Sequence, residues 1–220
     1  GLILTQLVRP GVPVRLMAYP SIMDQKYGCF TFACPEKVLM AAAMAQMFRY
    51  YGVPHAIHGA TTRANVMDAQ AGYETGIFDM FTALSGGELI IESTSSALED
   101  TVLSAYEQAV IGNEICDMIY RILRGIDVNP ETLAVDVIKE AGPGGEYLTH
   151  RHTMEHFRLE NWDARLSNRM ARDEWVENGA QDIRVKARKE VKRILDTHHP
   201  KPLDADVQRQ LQQIVEEAEG

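Results

Sequence analysis

The sequence is poor in cysteine, in clustered basic residues and in long apolar runs, and each shortage excludes a class of protein. It has three cysteines and no CxxC pair, which argues against a disulfide framework and favours a reducing compartment, so a cytoplasmic protein is predicted. The formal net charge of −9 argues against nucleic acid, because phosphates require clustered Lys and Arg. No apolar run approaches the roughly 18 residues of a membrane span and no leader peptide is recognisable, so no membrane partner is expected.

Lysine is scarce in the first half of the chain, where only Lys26 and Lys37 occur before residue 125. Neither falls in a predicted strand. Schiff-base enzymes of barrel type need a lysine at a strand end, so lysine-based aldolase chemistry is disfavoured. A cysteine nucleophile is poorly supported too, although Cys29 and Cys34 lie in a loop predicted on the active face.

A strand, a polar loop and a helix repeat three times in this half. The predicted strands are residues 14–18, 55–59 and 89–92. The helices that follow them are predicted at residues 36–51, 69–84 and 98–124. This order predicts parallel strands joined by right-handed crossovers. The loops after the strands are the polar ones, which favours an α/β fold of the TIM (β/α)8 barrel type, with three of its eight βα units present here.

The character of the sequence changes after Gly125, where both signs of charge alternate densely. Helices are predicted there at residues 131–141, 149–158, 173–178, 182–196 and 204–218. We therefore predict two parts: residues 1–125 form the C-terminal part of a barrel, and residues 126–220 form a helical extension packed on it. A three-stranded piece of barrel leaves open edges and an apolar face, so a covering segment or a homo-oligomer is expected.

Polar and aromatic residues mark the ends of the predicted strands. Tyr19 ends the first strand, His58 the second and Glu92 the third, while Tyr73 follows the central polar loop. A carboxylate at a barrel mouth is expected to have a pKa raised by burial. Carboxylate and aromatic groups together are suited to hold a cation that cannot donate hydrogen bonds, such as a quaternary ammonium. The structural alternative is that Glu92 caps a loop and both tyrosines belong to the core.

The histidines at 150, 152 and 156 have to be weighed as metal ligands, because His152 and His156 are one helical turn apart. The sequence sets no cysteine or carboxylate beside them, and Glu155 is expected to point away from the pair. We therefore predict that this chain binds no metal.

Several short motifs, in order along nearly the whole chain, carry a family resemblance. They are Tyr-Pro-Ser-Ile-Met-Asp at 19–24, Asp-Ala-Gln-Ala-Gly-Tyr-Glu at 68–74, Glu-Thr-Leu-Ala-Val-Asp-Val-Ile at 131–138, Gly-Pro-Gly-Gly at 142–145, and His-Thr with His-Phe-Arg at 152–158. Together they resemble the trimethylamine and glycine betaine methyltransferase superfamily, in its C-terminal half.

The resemblance implies a TIM barrel that moves a methyl group from a methylated amine to the Co(I) of a corrinoid (cobalamin) carried by a partner protein. Some members have pyrrolysine in the loop before the motif at 68–74, and that position corresponds to Asn65 within a residue. Asn65 cannot form the amine adduct attributed to pyrrolysine. A quaternary amine such as a betaine, activated by its own positive charge, is therefore favoured over trimethylamine.

The predicted function is thus a corrinoid-dependent methyltransferase acting on a small methylated amine. The residues predicted to be catalytic are Glu92, His58 and Asn65. Those predicted to bind substrate are Tyr19, Thr61, Gln70 and Tyr73. Two alternatives stay open: a truncated, non-catalytic relative that binds a quaternary amine or a corrinoid partner, and a lyase-type barrel with Glu92 as general base.

Overall fold

A computed structural model describes residues 1–59, 61–93 and 95–219. The strands are, in chain order, β1 (Leu16–Ala18), β2 (Ile22–Met23), β3 (Phe30–Thr31), β4 (His55–His58), β5 (Leu89–Ile91), β6 (Ala97–Leu98) and β7 (Leu103–Ser104). The helices are α1 (Leu2–Val8), α2 (Pro35–Tyr50), α3 (Ala69–Leu84), α4 (Tyr106–Arg124), α5 (Pro130–Leu133), α6 (Val135–Ala141), α7 (Arg151–Glu160), α8 (Arg172–Glu177), α9 (Ile183–Thr197) and α10 (Ala205–Glu219).

The centre of this mixed α/β fold is a three-stranded parallel sheet in the order β1-β4-β5. Ala18 pairs with Ile57, and Ile57 pairs with Ile90. The prediction of three parallel strands in this order is therefore confirmed. Among the described residues, no helix combines the length and the apolarity needed to cross a membrane.

The sheet packs against α2 through one face only. Ala18 and Ile57 form a buried cluster with Ala41 and Ala45 of α2. Side chains alternate along a strand, so Met17 and Leu89 lie on the opposite face, called here the inner face. Both are exposed there, Met17 at 56% and Leu89 at 44%. The inner face is thus exposed at its two edge strands, whereas Ala56 of the central strand is buried there.

Helix α3 begins and ends as the sequence predicts. The Asp68 carboxylate accepts hydrogen bonds from the backbone N–H groups of Gln70 and Ala71, which caps the first turn. Gly86 follows the helix with φ of 87°, a left-handed conformation that suits glycine. The central loop therefore passes into its helix at the predicted residue.

The predicted helix over residues 98–124 is wrong at its start. Strands β6 and β7 pair antiparallel, and a short 3-10 turn at Glu99–Thr101 joins them. Asp100 has φ of 46° and ψ of 46°. Its carboxylate accepts hydrogen bonds from the side chains of Thr61 and Arg63, which are distant in the sequence. These long-range contacts prevail over the local helical preference. Helix α4 begins at Tyr106 and, as predicted, ends before Gly125.

The predicted helix over residues 131–141 is also split. Ala134 has φ of 51° and separates α5 from α6. In the C-terminal segment, α9 packs on α4 through Ile111, Leu166 and Ala187. The buried Glu114 carboxylate of α4 accepts from the backbone N–H groups of Leu166 and Ser167. Residues after Gly125 therefore dock on the last helix of the α/β part.

Candidate functional site

Three of the predicted site residues meet at the carboxyl edge of the parallel sheet. Tyr19 follows β1, His58 ends β4 and Glu92 follows β5. The His58 Nε2 atom lies 3.0 Å from Glu92 Oε2, and the Tyr19 ring lies over the imidazole with centroids 4.0 Å apart. The Tyr19 hydroxyl is hydrogen-bonded to the Glu92 carboxylate. In-register parallel strands bring these residues together because their ends lie at one edge.

Phe32 completes this group, and the sequence did not single it out. Its ring centroid lies 4.9 Å from that of His58 and 5.2 Å from that of Tyr19, nearly perpendicular to the tyrosine. We call Tyr19, Phe32, His58 and Glu92 the carboxylate–aromatic cluster. The only hint in the sequence was the aromatic-rich loop at residues 19–33 that contains Phe32.

The protonation of the cluster follows from burial and hydrogen bonding. Burial lowers the pKa of His58, and the nearby Lys37 ammonium lowers it further. The neutral ring donates from Nε2 to Glu92, while Nδ1 has no hydrogen-bond partner among the described residues. Burial raises the pKa of Glu92, but hydrogen bonds from Tyr19 and His58 outweigh it and the net pKa is lowered. The raised pKa expected for Glu92 is therefore wrong, because two donors stabilise its charged form.

The pKa of Tyr19 is shifted in the opposite direction to that of Glu92. Burial, followed by its hydrogen bond to Glu92, raises the pKa of its hydroxyl. The cluster at pH 7 thus holds one ionised carboxylate, one neutral imidazole and one neutral phenol. Its net charge is negative; the His58 ring lies beside the carboxylate, and the Phe32 ring packs against the rings of His58 and Tyr19.

The backbone of Glu92 is held in an uncommon conformation. Its φ is 64°, in the left-handed region that costs a residue with a side chain about 1–2 kcal/mol. Such strain persists where the surroundings require it and is concentrated at functional sites. The residue with this strained backbone is the one whose carboxylate lies 3.0 Å from His58 Nε2.

Lys37 anchors the strand end that carries His58. Its side chain is 0% exposed, and Nζ donates to the carbonyl oxygens of His58 at 2.7 Å and Gly59 at 2.6 Å. Burial lowers the pKa of Lys37 to about 8, against the opposing charges of Asp79 and Cys34. A Cβ on Gly59 would lie 2.7 Å from Asp79 Oδ1, so only glycine fits there. With both carbonyls bound, the lysine fixes the end of β4.

Two further predicted residues, Gln70 and Thr61, lie in an adjoining buried network. The Glu74 carboxylate accepts from the Thr62 hydroxyl at 2.6 Å, from the Arg63 backbone N–H at 2.8 Å and from the Gln70 amide at 2.9 Å. These bonds hold the loop after β4 against the first turns of α3. Ala60, in the same loop, lies outside the described residues.

Asp100 connects this network to the carboxylate–aromatic cluster. Its carboxylate receives long hydrogen bonds from the Thr61 hydroxyl and the Phe32 backbone N–H, each 3.4 Å, and pairs with the Arg63 guanidinium at 3.3 Å. Asp100 lies in a segment whose local sequence predicts helix, so no local pattern marks it as a site residue. Thr61 and Gln70 thus have their polar groups engaged within the protein.

The remaining predicted residues lie apart from the cluster. Asn65 is exposed and lines a surface groove with Asp182 and Arg184 at the start of α9. Tyr73 is on α3 and is 54% exposed. Within the described part of the chain, neither makes a recorded contact with Tyr19, His58 or Glu92. The roles predicted for Asn65 and Tyr73 stay predictions.

The histidines of the C-terminal segment have a carboxylate beside them after all. Glu131 Oε1 of α5 lies 3.8 Å from His152 Nε2 and 3.3 Å from His156 Nε2. Local sequence does not reveal this carboxylate, because Glu131 is 21 residues away from His152. That ground for excluding a metal is therefore wrong.

The fold is that of an α/β protein with a carboxylate–aromatic cluster at the carboxyl edge of a parallel sheet. The family described as "Trimethylamine methyltransferase (MTTB)" matches residues 1–219, and the chain belongs to this family. The chain is 34% identical over 219 residues to the trimethylamine methyltransferase MttB of Desulfitobacterium hafniense strain DCB-2. It is 31% identical over 215 residues to a glycine betaine methyltransferase of D. hafniense strain Y51.

A third relative, trimethylamine methyltransferase MttB2 of Methanosarcina mazei, is 33% identical over 219 residues. These alignments cover 98–100% of this chain and 44% of each relative. The chain therefore spans somewhat less than half the length of the curated relatives it matches.

Proposed function

We propose that this chain forms the amine-binding part of a methyltransferase that moves a methyl group from a quaternary or tertiary methylated amine, such as a betaine, to a corrinoid. The observation that carries the proposal is the carboxylate–aromatic cluster. An ionised Glu92 in one cluster with the rings of Tyr19 and Phe32 suits a cation without N–H donors, because such a cation is held by charge and by aromatic faces. Both groups of relatives are named for methylated amines.

In this proposal Glu92 faces the ammonium, and Tyr19 and Phe32 pack against its methyl groups. His58 holds the carboxylate in place by donating from Nε2. Lys37 and the Glu74 and Asp100 carboxylates fix the loops that bear these groups. The chain has to orient the amine and exclude water from it, which is a large part of what an enzyme supplies in a group transfer.

A corrinoid on a partner protein supplies the Co(I) nucleophile for the methyl group. The cluster fits such a partner because its Glu92 and Tyr19 side chains remain partly open at the strand ends, the former at 41% exposure. A large planar group can approach the amine from that side. Neither the nucleophile nor a metal has to come from the cluster.

The proposed architecture is a TIM barrel of which residues 1–125 form a part and residues 126–220 a helical extension. The exposed Met17 and Leu89 on the inner face support it, because the interior of a barrel is a packed layer of such side chains. The 44% coverage of the relatives is consistent with a partial barrel. A cytoplasmic location stays a prediction from cysteine usage.

Methyl transfer is tested by the absorption of Co(I) in reduced cobalamin. Loss of the Co(I) band after addition of glycine betaine, another betaine or trimethylamine supports the proposal, and betaines are expected to react before trimethylamine. The protein is assayed as sequenced and as a chain extended to the length of its relatives. An unchanged Co(I) spectrum with every amine and with the extended chain would falsify the methyltransferase proposal.

The second candidate is a relative that binds a quaternary amine or a corrinoid partner without turnover. It rests on the same cluster, because an ionised carboxylate beside aromatic rings can hold a cation whether or not a methyl group is transferred. Calorimetric binding of glycine betaine by the chain, combined with an unchanged Co(I) band in the extended protein, would select it.

A further inference from the structure

A group of metal-ligating side chains lies far from the carboxylate–aromatic cluster, where α5 meets α7. His152 and His156 are four residues apart on α7, and Glu131 comes from α5. One ligand atom of each residue lies within 4.8 Å of those of the other two. Among the described residues this is the one such group found.

The two imidazoles have the arrangement of a chelating pair. Their ring centroids are 4.2 Å apart with an interplanar angle of 30°, so the rings are stacked with one edge toward the same carboxylate. The Nε2 atoms lie 3.8 Å and 3.3 Å from Glu131 Oε1. A tetrahedral ion with bonds of about 2.0–2.1 Å separates its ligand atoms by about 3.4 Å. Small side-chain shifts therefore suffice to enclose an ion.

We propose that Glu131, His152 and His156 form a binding site for a divalent transition metal, of which Zn²⁺ fits the two nitrogens and one carboxylate oxygen. The fourth position of a tetrahedron faces solvent, since the three side chains are 20–66% exposed, and a water molecule takes it. The inference is independent of the proposed methyl transfer.

Binding at this site changes one hydrogen bond of the protein. His152 Nε2 lies 2.9 Å from the Glu131 carbonyl oxygen, so the proton of the neutral ring sits on Nε2 when no ion is bound. A metal takes the Nε2 lone pair, and the proton then resides on Nδ1. The ion replaces this bond by a link between α5 and α7, which stabilises the segment by mass action.

The neighbouring ionisable groups have other partners. His150 Nδ1 accepts from the His152 backbone N–H at the start of α7, and His150 Nε2 lies 3.6 Å from Glu140. Glu155 pairs with Arg151 at 3.1 Å, so it turns away from the pair as the sequence indicated. The site therefore consists of three protein ligands, Glu131, His152 and His156.

The test is a Zn²⁺ titration of the chelator-treated chain against a chromophoric competitor, with Co²⁺ absorption as a report of tetrahedral geometry. One equivalent per chain is expected. The double variant His152→Ala/His156→Ala and the variant Glu131→Gln should each bind at least tenfold more weakly. Glu131→Gln keeps the shape of an exposed side chain, so it reports on binding even where the double variant fails to fold.

The matched control is His198→Ala/His199→Ala, which removes two exposed histidines at the end of α9 and should retain one equivalent. The same comparison controls for Cys29, Cys34 and Cys116, which all variants keep. Equal Zn²⁺ affinity in the wild-type chain and in Glu131→Gln, or no stoichiometric binding by the wild-type chain, overturns the proposal.

Discussion

At the scale of single residues, the charge on Glu92 is the feature on which amine binding depends. Opposite unit charges about 4 Å apart attract by about 4 kcal/mol at an effective dielectric constant near 20, and the 41% exposure of the Glu92 side chain reduces this by solvent screening. We expect Glu92→Gln to weaken glycine betaine binding about 10- to 100-fold, as measured by calorimetry.

Glu88→Gln is the matched control for that substitution. Glu88 stands at the other end of β5, where its carboxylate accepts from the His55 backbone N–H at 3.0 Å and lies 3.4 Å from His55 Nδ1. The two glutamate–histidine pairs are alike in chemistry, but only Glu92 belongs to the carboxylate–aromatic cluster. Equal loss of affinity in both variants contradicts a direct role for Glu92.

The protonation of His58 predicts how amine binding depends on pH. Burial holds the pKa of His58 below its usual 6.5, so the ring is neutral at pH 7 and gains its proton only in acid. A protonated ring beside Glu92 competes with a bound cation, whereas Glu92 itself stays ionised because its pKa is below 4.5. Glycine betaine affinity should therefore be constant between about pH 7 and 8 and fall only in acid, at pH values below the usual 6.5 of a histidine.

His58→Gln provides the control, since glutamine keeps an N–H donor and does not titrate. Calorimetric titrations of this variant from pH 5 to 8 should show affinity without the acid decline. If the affinity of the variant declines in acid by the same amount, a group other than His58 causes the decline.

The sequence predicts some residues of the cluster and its surroundings and not others, for physical reasons. Tyr19, His58 and Glu92 were found because strand ends in a parallel sheet share an edge, a rule that depends only on order along the chain. Phe32 and Asp100 were missed because a loop and a hairpin fold back onto the strand ends, which no local pattern records. Lys37 does have a signal in the sequence: it is four residues before Ala41 and eight before Ala45, so it lies on the same buried side of α2. In the sequence, Lys37 serves only to argue against Schiff-base chemistry.

At the scale of elements, Lys37 joins α2 to the end of β4 and makes this joint sensitive to pH. Its pKa is about 8 in the folded chain and 10.5 when unfolded, so between these values the unfolded state binds more protons. The free energy of unfolding therefore rises with pH in this window, by a few kcal/mol as an order of magnitude. Below about pH 8 the contribution is constant, because the lysine is charged in both states.

The measurement is urea unfolding at pH 8, 9 and 10 for the wild-type chain and for Lys37→Met. The wild type should gain stability relative to the variant as the pH rises, since methionine does not titrate. The variant should also be less stable at pH 10, because the His58 and Gly59 carbonyls lose their donor. Parallel curves for the two proteins would show that the buried amine does not titrate in this range.

The elements that the sequence predicts well are the helices that begin and end at recognisable capping or helix-ending residues. Asp68 and Gly86 mark the two ends of α3, and Pro35 and Gly52 mark those of α2. Such signals are readable in the sequence because caps and left-handed turns act within a few residues. The sequence predicts helix from residue 98, where the structure has a hairpin, because the hairpin depends on hydrogen bonds from Phe32 and Thr61 of other loops to the Asp100 carboxylate. Likewise, no glycine or proline at or next to Ala134 marks the break between α5 and α6 in the sequence.

At the scale of the whole molecule, the inner face of the sheet requires a cover. Met17 and Leu89 expose apolar surface there, and β1 and β5 are both sheet edges, which together favour association. We expect the chain as sequenced to self-associate through this face, and the segment that completes a barrel would take the same place in a longer protein.

The prediction is tested by sedimentation velocity over a range of concentrations. The variant Met17→Glu/Leu89→Glu should shift the chain toward monomer, because two charges on an inner face cannot be buried without partners. Leu39→Glu is the control: Leu39 is 63% exposed on α2, outside the inner face, and its substitution should leave the distribution unchanged. A wild-type chain that sediments as a monomer at every concentration, or a Leu39→Glu variant that dissociates equally, contradicts association through the inner face.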